Sequence, residues 1–159
     1  MYNHILVAVD GSDTSNLALR EAIKLAKDQQ ASLRLVHVID ESLAYMAVDN
    51  STIQDPGLVA EIKKALHAAG QDVLATSAAM VREAGIEAET VIKVVETLGP
   101  RIYDAIEEEA VRWPADLIVI GTHGRRGFRR LLLGSVAEGV ARIATKPVLL
   151  VRGVQEKVS

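Results

Sequence analysis

The order of apolar and polar residues along the chain alternates between two patterns. Short apolar runs, typical of buried strands, are separated by longer stretches in which apolar residues recur at helical spacing. This succession predicts an α/β fold with an open, doubly wound, five-stranded parallel sheet that carries helices on both faces. The predicted strands span residues 5–9, 33–39, 87–95, 116–120 and 148–151. Predicted helices span residues 13–30, 58–84 and 136–143, and a further one begins near Pro100, has its apolar stripe within residues 102–110 and is closed by Trp113-Pro114.

Three segments carry more specific expectations about burial and order. Residues 40–55 show no clear period, and a loop of that length in a compact domain favours a lid or a mobile segment. The glutamates 107–109 predict a solvated helix face. The predicted helix over residues 58–84 has one apolar stripe, formed by Leu58, Ile62, Leu66, Ala69, Val73, Met80 and Val81.

Length and composition indicate one soluble globular domain. The chain has 159 residues, of which 49% are hydrophobic and 25% are charged. A chain of this length can bury a hydrophobic core without cross-links or metal ions. We expect residues 1–152 to form the domain and residues 153–159 to form a short charged tail. The absence of cysteine excludes disulfides, thiolate nucleophiles and Cys-ligated metal centres. His4, His37 and His67 are scattered without metal-binding spacing, which argues against a histidine metal site.

Charge and hydropathy argue against two classes of partner. The formal net charge is −3 and aromatic residues make up only 3% of the chain, so neither general attraction to nucleic acid nor a stacking surface is expected. No uncharged apolar stretch reaches the roughly 20 residues that cross a bilayer. The first ten residues lack the basic region of a signal peptide and lead directly into a strand. These features predict a cytoplasmic protein with no membrane partner.

One segment, residues 121–135, concentrates the features of an anion site. It contains four glycines and four arginines, and it lies between a predicted buried strand and a predicted helix. Glycines allow main-chain N–H groups to approach a ligand closely, and a helix N-terminus directs free N–H donors and partial positive charge outward. Ser135 and Glu138 have the spacing of a capping box, which sets the helix start at Ser135. We therefore expect a phosphate here.

The glycine spacing separates this segment from two common phosphate-binding motifs. It is neither a P-loop nor the dinucleotide fingerprint, because G-x-x-x-x-G-K-[ST] and G-x-G-x-x-G are both absent. The spacing is Gly121-x2-Gly124-x9-Gly134-Ser135. In this motif the chain resembles the nucleotide-binding subgroup of single-domain universal stress proteins. The likeness extends over nearly the whole chain and includes residues 7–12, 37–39 and 146–151.

The resemblance implies a sheet of strand order 3-2-1-4-5 with an adenine nucleotide, usually ATP but otherwise ADP or AMP, at the point where the strand order reverses. It implies that the base is bound through main-chain groups, and that Asp10 faces the ribose and phosphates, with a divalent cation such as Mg²⁺ or Mn²⁺ held through the nucleotide. The residues it assigns are Ala8, Val9 and Val38 at the adenine; Ile120, Gly121 and Gly124 at the ribose and first phosphate; and Gly134, Ser135 and Val136 at the outer phosphates.

Four residues in these segments invite separate interpretation. The phosphate role of Arg125 and Arg126 is inferred from their charge, and Arg126 stands where the family frequently has a small polar residue. His123 lies among glycines and is interpreted as a residue that positions the nucleotide rather than as an acid or base. The turn at Asp10 has a simpler alternative role, which is to cap the first helix.

Three classes of function follow from these observations. The first is a regulatory, nucleotide-dependent switch in a stress response, with slow or no ATP hydrolysis, and so at most a weak ATPase. The second is an adenylating ATP-pyrophosphatase-type enzyme, although residues 10–15 lack the paired glycines of its pyrophosphate cradle. The third is a nucleotide-free dimeric interaction module. The resemblance implies a homodimer through the apolar edge strand Val148–Val151, since exposed edges tend to pair.

The phosphate role inferred for Arg125 and Arg126 can be tested by substitution. Replacing Arg125 or Arg126 with glutamine is expected to weaken binding of ATP more than binding of adenosine, because only the phosphates interact with that charge. Calorimetric titration of each variant with both ligands measures the difference. An equal loss for the two ligands would mean that the arginines act through structure instead.

Overall fold

In the computed structural model, residues 1–48, 55–123 and 133–153 are described. Strands and helices alternate along them as the sequence predicts. The strands are β1 (His4–Ala8), β2 (Ser32–Asp40), β3 (Ala88–Val95), β4 (Leu117–Gly121) and β5 (Val148–Val151). The helices are α1 (Asp13–Gln29), α2 (Ser42–Met46), α3 (Pro56–Glu83), α4 (Ile102–Arg112) and α5 (Ser135–Ile143).

The five strands form one parallel sheet in the order β3-β2-β1-β4-β5. This confirms both the α/β fold class and the strand order. β1 lies at the centre and pairs with β2 on one side and β4 on the other. The chain order reverses between these two neighbours, and parallel sheets bind ligands beyond the carboxyl ends of the strands at such a point.

Each face of the sheet has its own hydrophobic core. Alternate strand residues such as Val7, Leu35 and Val119 pack with α1 and α3, whereas Leu6, Val36 and Ile118 pack with α4 and α5. β4 is buried along its whole length, as expected for a strand covered on both faces. Burial on both faces explains why the central strands have continuous apolar sequences rather than alternating ones.

The α2–α3 region contradicts one sequence expectation and refines another. Residues 40–55 were expected to form a loop, but they include the short helix α2, whose Ala44 is fully buried. Five residues are too few to produce a detectable helical period. Residues 49–54, the rest of the expected lid, lie outside the described residues. The predicted helix α3 is present, and of its apolar stripe Val81 is fully buried while Val73 and Met80 pack partly buried against the core. The buried positions of α3 are Val59, Gly70, Leu74, Ser77 and Val81.

The glutamates at the end of α4 also differ from expectation. Glu109 is only 1% exposed, and it pairs with Arg34 of β2 at 2.6 Å between Oε1 and Nη1. Arg34 in turn lies over the ring of Trp113, 4.8 Å from its centroid, and also pairs with Glu89. Glu108 is exposed and pairs with Lys93. The run of glutamates is therefore a solvated face only in part, because Glu109 points inward to a cation on the sheet.

The buried pair Glu109–Arg34 predicts a large stability difference between adjacent glutamates. Glu109→Ala is expected to lower the free energy of unfolding by about 3 kcal/mol, because it leaves the Arg34 charge without its buried partner. Glu108→Ala removes an exposed pair and is expected to cost less than about 1 kcal/mol. Urea unfolding monitored by circular dichroism measures both. Equal losses in the two variants would contradict the structural role of Glu109.

Candidate functional site

A cleft of about 1180 Å³ opens at the carboxyl ends of the strands and spans the point where β1 and β4 adjoin. Its walls come from the segments after β1, β2 and β4 and from the start of α5. The structure therefore brings together the two turns that the sequence singles out. The described residues of the predicted site all line this cleft: Ala8, Val9, Asp10, Val38, Ile120, Gly121, His123, Gly134, Ser135 and Val136. Gly124, Arg125 and Arg126 lie outside the described residues.

The turn after β1 caps α1 and presents Asp10 to the cleft. Gly11 has φ = +81°, a value that glycine adopts without steric cost. The Asp10 carboxylate accepts the Ser12 N–H at 2.8 Å, and the Asp10 N–H donates to the Ser15 hydroxyl at 3.0 Å. The Ser12 hydroxyl accepts the Ser15 N–H and so caps the helix. The capping role considered from sequence is therefore present, and it also fixes the position of Asp10 on the cleft wall.

The first glycine of the motif is needed for packing as well as for the cleft. A Cβ at Gly121 would lie 2.8 Å from Thr14 Cγ2 and 3.0 Å from the Thr14 carbonyl oxygen, so α1 rests directly on this residue. Gly121 therefore lets the N-terminus of α1 approach β4 closely. This contact holds the turn after β1 and the turn after β4 side by side at the base of the cleft.

The last glycine of the motif closes the neck of the loop between β4 and α5. The Gly134 N–H donates to the Thr122 carbonyl at 2.7 Å, and the Thr122 N–H donates to the Val151 carbonyl at 2.9 Å. A Cβ at Gly134 would lie 3.0 Å from that same Thr122 oxygen. The two ends of the loop are thus pinned to each other and to β5, and the loop leaves and returns at one place on the cleft.

The predicted capping box at α5 is not formed. The helix does begin at Ser135, but its N-cap residue is Gly134, which has no side chain to bond the first N–H groups. A capping box needs the serine one position earlier, at the N-cap itself. The start of α5 lines the cleft without a capping side chain from Gly134. Helix N-termini of this kind attract anions through their free donors and partial positive charge.

His123 bonds within the motif rather than to a carboxylate. Its Nδ1 lies 3.0 Å from the Thr122 hydroxyl, and its Nε2 is buried without a hydrogen-bond partner in the part of the chain that the structure describes. This arrangement lacks the His–carboxylate pair of a general base. The role of His123 as a positioning residue stays a prediction.

The end of β2 forms another wall of the cleft, and its main chain faces inward. β1 ends at Ala8 opposite Val36, whereas β2 continues to Asp40. The Val9 N–H donates to the Val36 carbonyl on the β1 side, and the Glu41 N–H donates to the Val95 carbonyl on the β3 side. Since alternate residues of a strand bond to opposite neighbours, the N–H and C=O of Val38 face the β1 side, beyond the end of β1.

Sequence reasoning missed two contributors to this wall. His37 lines the cleft and bonds through Nδ1 to the Val9 carbonyl at 2.8 Å. The helix α2 forms part of the rim through Leu43, Tyr45 and Met46, the last of which is 74% exposed. The sequence signal for α2 was its position just after the second predicted strand, and His37 stood out only as part of the segment 37–39 that carries the family resemblance.

An ion-pair cluster fastens the rim to α3. Glu41 is 14% exposed, and its two oxygens pair with His67 Nε2 at 2.8 Å and Lys63 Nζ at 3.1 Å. Hydrogen bonds from His67 and then from Lys63 hold the pKa of the Glu41 carboxyl below its ordinary value. Lys63 also lies over the Tyr45 ring at 5.2 Å, and its bonds to Glu41 and Tyr45 raise its pKa. α2 is therefore tied to α3 at both of its ends.

The described side chains could support a metal ion only with help from a ligand. Among residues 1–48, 55–123 and 133–153, no three side chains of histidine, aspartate or glutamate are close enough together to hold a metal ion. A divalent cation at Asp10 would need phosphate oxygens and water as its remaining ligands. This donor set fits a cation that arrives with a nucleotide.

Comparison with known proteins places the chain in a family. The model of the universal stress protein family matches residues 1–152. The chain belongs to the universal stress protein family. Universal stress protein YxiE of Bacillus subtilis is 35% identical over 153 residues, which cover 96% of this chain and 100% of that protein.

Two solved structures of this family were determined with adenine nucleotides. One is a universal stress protein in complex with cAMP, with a TM-score of 0.66 and 25% identity, and the match covers 94% of this chain and 98% of that one. The other is a universal stress protein of Archaeoglobus fulgidus in complex with dAMP, with a TM-score of 0.64, 26% identity and the same coverage. Structural neighbours of this universal stress protein thus bind adenine nucleotides.

The described helices also bear on membrane insertion. In the described part of this universal stress protein, no helix combines the length and the apolar character that a bilayer-spanning helix requires. This agrees with the absence of a long apolar stretch from the sequence.

The cluster at Glu41 predicts a pH-dependent contribution to stability. Because folding lowers the Glu41 pKa, its stabilisation is present above the ordinary value of 4.5 and is lost as the pH falls through the folded-state value. We therefore expect the stability difference between the unmodified protein and Glu41→Gln to be largest near pH 7 and to shrink toward pH 3. Urea unfolding across this range measures it.

The exposed pair Glu21–Lys24 on α1 provides the matched control. Its side chains are 46% and 69% exposed, so Glu21→Gln is expected to change stability little at any pH. A difference for Glu41→Gln that stays constant from pH 7 to pH 3 would show that the ion pairs of Glu41 do not stabilise the fold.

Proposed function

We propose that this protein binds an adenine nucleotide, ATP in the first instance and otherwise ADP or AMP, in the cleft and acts as a nucleotide-dependent switch in a stress response. The observation that carries the proposal is the convergence of two distant turns, after β1 and after β4, with the start of α5 and the inward-facing main chain of β2. The cAMP and dAMP complexes of family members support an adenine nucleotide as the ligand class.

Each wall of the cleft suits one part of the ligand. The base would lie against Ala8, Val9 and Val38, where main-chain groups face the cleft. The ribose and first phosphate would lie along Ile120 and Gly121, and the outer phosphates would bind at the start of α5, at Gly134, Ser135 and Val136. Asp10 would hold Mg²⁺ or Mn²⁺ through the bound phosphates, as its donor set allows. The proposal thus assigns the uncapped helix start to the most negative part of the ligand.

The proposal includes slow or no hydrolysis. Among the described residues of the cleft, His123 bonds through Nδ1 to the Thr122 hydroxyl rather than to a carboxylate, so it does not form the His–carboxylate pair typical of a general base. A regulatory protein can switch between two nucleotide-bound states that differ in affinity for a partner. Slow hydrolysis or exchange of the nucleotide is enough to change its state. We therefore propose regulation rather than turnover as the role of this site.

The proposal also includes a homodimer through β5. This strand lies at the edge of the sheet, and Leu149 is 36% exposed there. An apolar edge strand with unpaired main-chain groups favours pairing with a second copy. Because the Thr122 N–H bonds to Val151, a dimer contact at β5 would adjoin the neck of the phosphate loop.

Gly134 provides the sharpest test of the phosphate site. Gly134→Val is expected to weaken ATP binding at least about tenfold, because a side chain there must displace the Thr122 carbonyl and block the approach of phosphate to the main chain. Ala68→Val, which adds bulk at an exposed position outside the cleft, is the control and is expected to bind normally. Calorimetric titration with ATP, ADP, AMP and adenosine in the presence of Mg²⁺ measures both variants.

The same titrations decide the proposal as a whole. Mass spectrometry of protein purified without added ligand identifies any resident nucleotide. If the unmodified protein bound none of the four ligands at millimolar concentration, nucleotide binding would be ruled out. Rapid multiple-turnover hydrolysis of ATP would instead replace the regulatory switch with an enzyme.

A further inference from the structure

We propose that His37 is a positioning residue for the base pocket: by bonding the Val9 carbonyl, it leaves the main-chain N–H of Val38 free for the ligand. This inference rests on the proposed function, since it concerns how the same cleft would recognise adenine. It goes further by assigning a role to a buried side chain that neither the motif nor its glycines identify.

The imidazole of His37 has a defined donor. Its Nδ1 lies 2.8 Å from the Val9 carbonyl oxygen, and the residue is only 9% exposed. A carbonyl can only accept, so Nδ1 carries the hydrogen and donates it. The bond joins β2 to the first residue after β1, at the point where the two strands cease to pair.

The strand ladder shows what this bond replaces. The Val9 N–H donates to the Val36 carbonyl at 2.9 Å, so a continued parallel ladder would next join the Val38 N–H to the Val9 carbonyl. Within the described residues no such main-chain bond is made, and the carbonyl is held by His37 instead. The parallel hydrogen-bond ladder between β1 and β2 therefore ends before the bond from the Val38 N–H to the Val9 carbonyl. The Val38 N–H faces the cleft instead.

The ring is held in place from the other side by α3. A Cβ at Gly70 would lie 2.9 Å from His37 Cδ2 and 3.1 Å from His37 Nε2, so the helix backbone packs directly on the imidazole. Ile39 limits the same space, with Cγ1 3.1 Å from that position. The ring cannot swing away from Val9 without moving the helix, which makes the bond to the carbonyl a fixed feature of the cleft wall.

The freed N–H and the carbonyl of Val38 face the cleft together as one donor and one acceptor. The Watson–Crick edge of adenine offers the complementary pair, an acceptor at N1 and a donor at N6. Guanine has the opposite polarity at both positions, so the same main chain would reject it. His37 would therefore contribute to the choice of base without touching the base through its own ring.

The test compares two His37 variants with two ligands. His37→Asn keeps an N–H donor close to the position of Nδ1, whereas His37→Phe keeps a ring and loses the donor. The ligands are adenosine and 1-deazaadenosine, which differ only in the N1 acceptor. Calorimetry is expected to show that the unmodified protein and His37→Asn prefer adenosine about tenfold, the value of one net hydrogen bond, and that His37→Phe loses this preference.

The outcomes separate this inference from the proposed function. If the unmodified protein bound neither ligand, both would fail. If it bound adenosine with a preference that His37→Phe retained, only the role of His37 would be overturned. A merely structural role for His37 would weaken both ligands equally and leave their ratio unchanged.

Should His37→Phe fail to fold, the unmodified protein still decides the question by amide NMR. The Val38 N–H is expected to exchange rapidly with solvent in the absence of ligand and to become protected when adenosine binds. With 1-deazaadenosine that protection is expected to be absent. A Val38 amide that is already protected without ligand would show that the ladder bond to Val9 exists and would overturn the inference.

Discussion

The cleft depends on a mismatch in strand length at the centre of the sheet. β1 ends at Ala8 opposite Val36, whereas its neighbour β2 runs on to Asp40. Every main-chain group of a buried strand needs a partner, and beyond Ala8 no strand of the described residues lies beside the inner edge of β2. A ligand with its own donors and acceptors can supply those partners. The strand that stops first therefore defines where the site lies and which main-chain groups line it.

Close approach of backbones makes this arrangement compact, and three glycines allow it. Gly121 receives the start of α1 at Thr14, Gly134 closes against the Thr122 carbonyl, and Gly70 rests on the His37 ring. In each case a Cβ would lie within about 3 Å of a neighbouring atom, so any other residue would push two elements apart. Two of these glycines belong to the motif. The motif thus sets the spacing of the scaffold as well as the surface offered to a ligand.

Two largely buried carboxylates, Glu109 and Glu41, hold helices in place through ion pairs. Glu109 is buried with Arg34 between α4 and the sheet, while Glu41 joins α2 to α3 at the rim of the cleft. Both carboxylates connect a helix to an element distant in sequence. Removing a buried partner costs far more than removing an exposed one, so these two pairs fix helix positions that hydrophobic packing alone would leave less specific. The second pair lies beside the α2 residues that line the cleft.

The sequence by itself determined the alternation of strands and helices, because apolar periodicity is a local property of the chain. It also determined that the turns at Asp10 and at 121–135 belong together, through the glycine spacing and the family resemblance. Only the tertiary structure decided which contacts those elements make. Glu109 faces inward because it pairs with Arg34 on the sheet, and Gly134 rather than Ser135 occupies the N-cap position of α5. His37 bonds to Val9 because α3 packs on its ring. Each of these depends on residues far apart in the chain, whose distances a linear pattern does not contain.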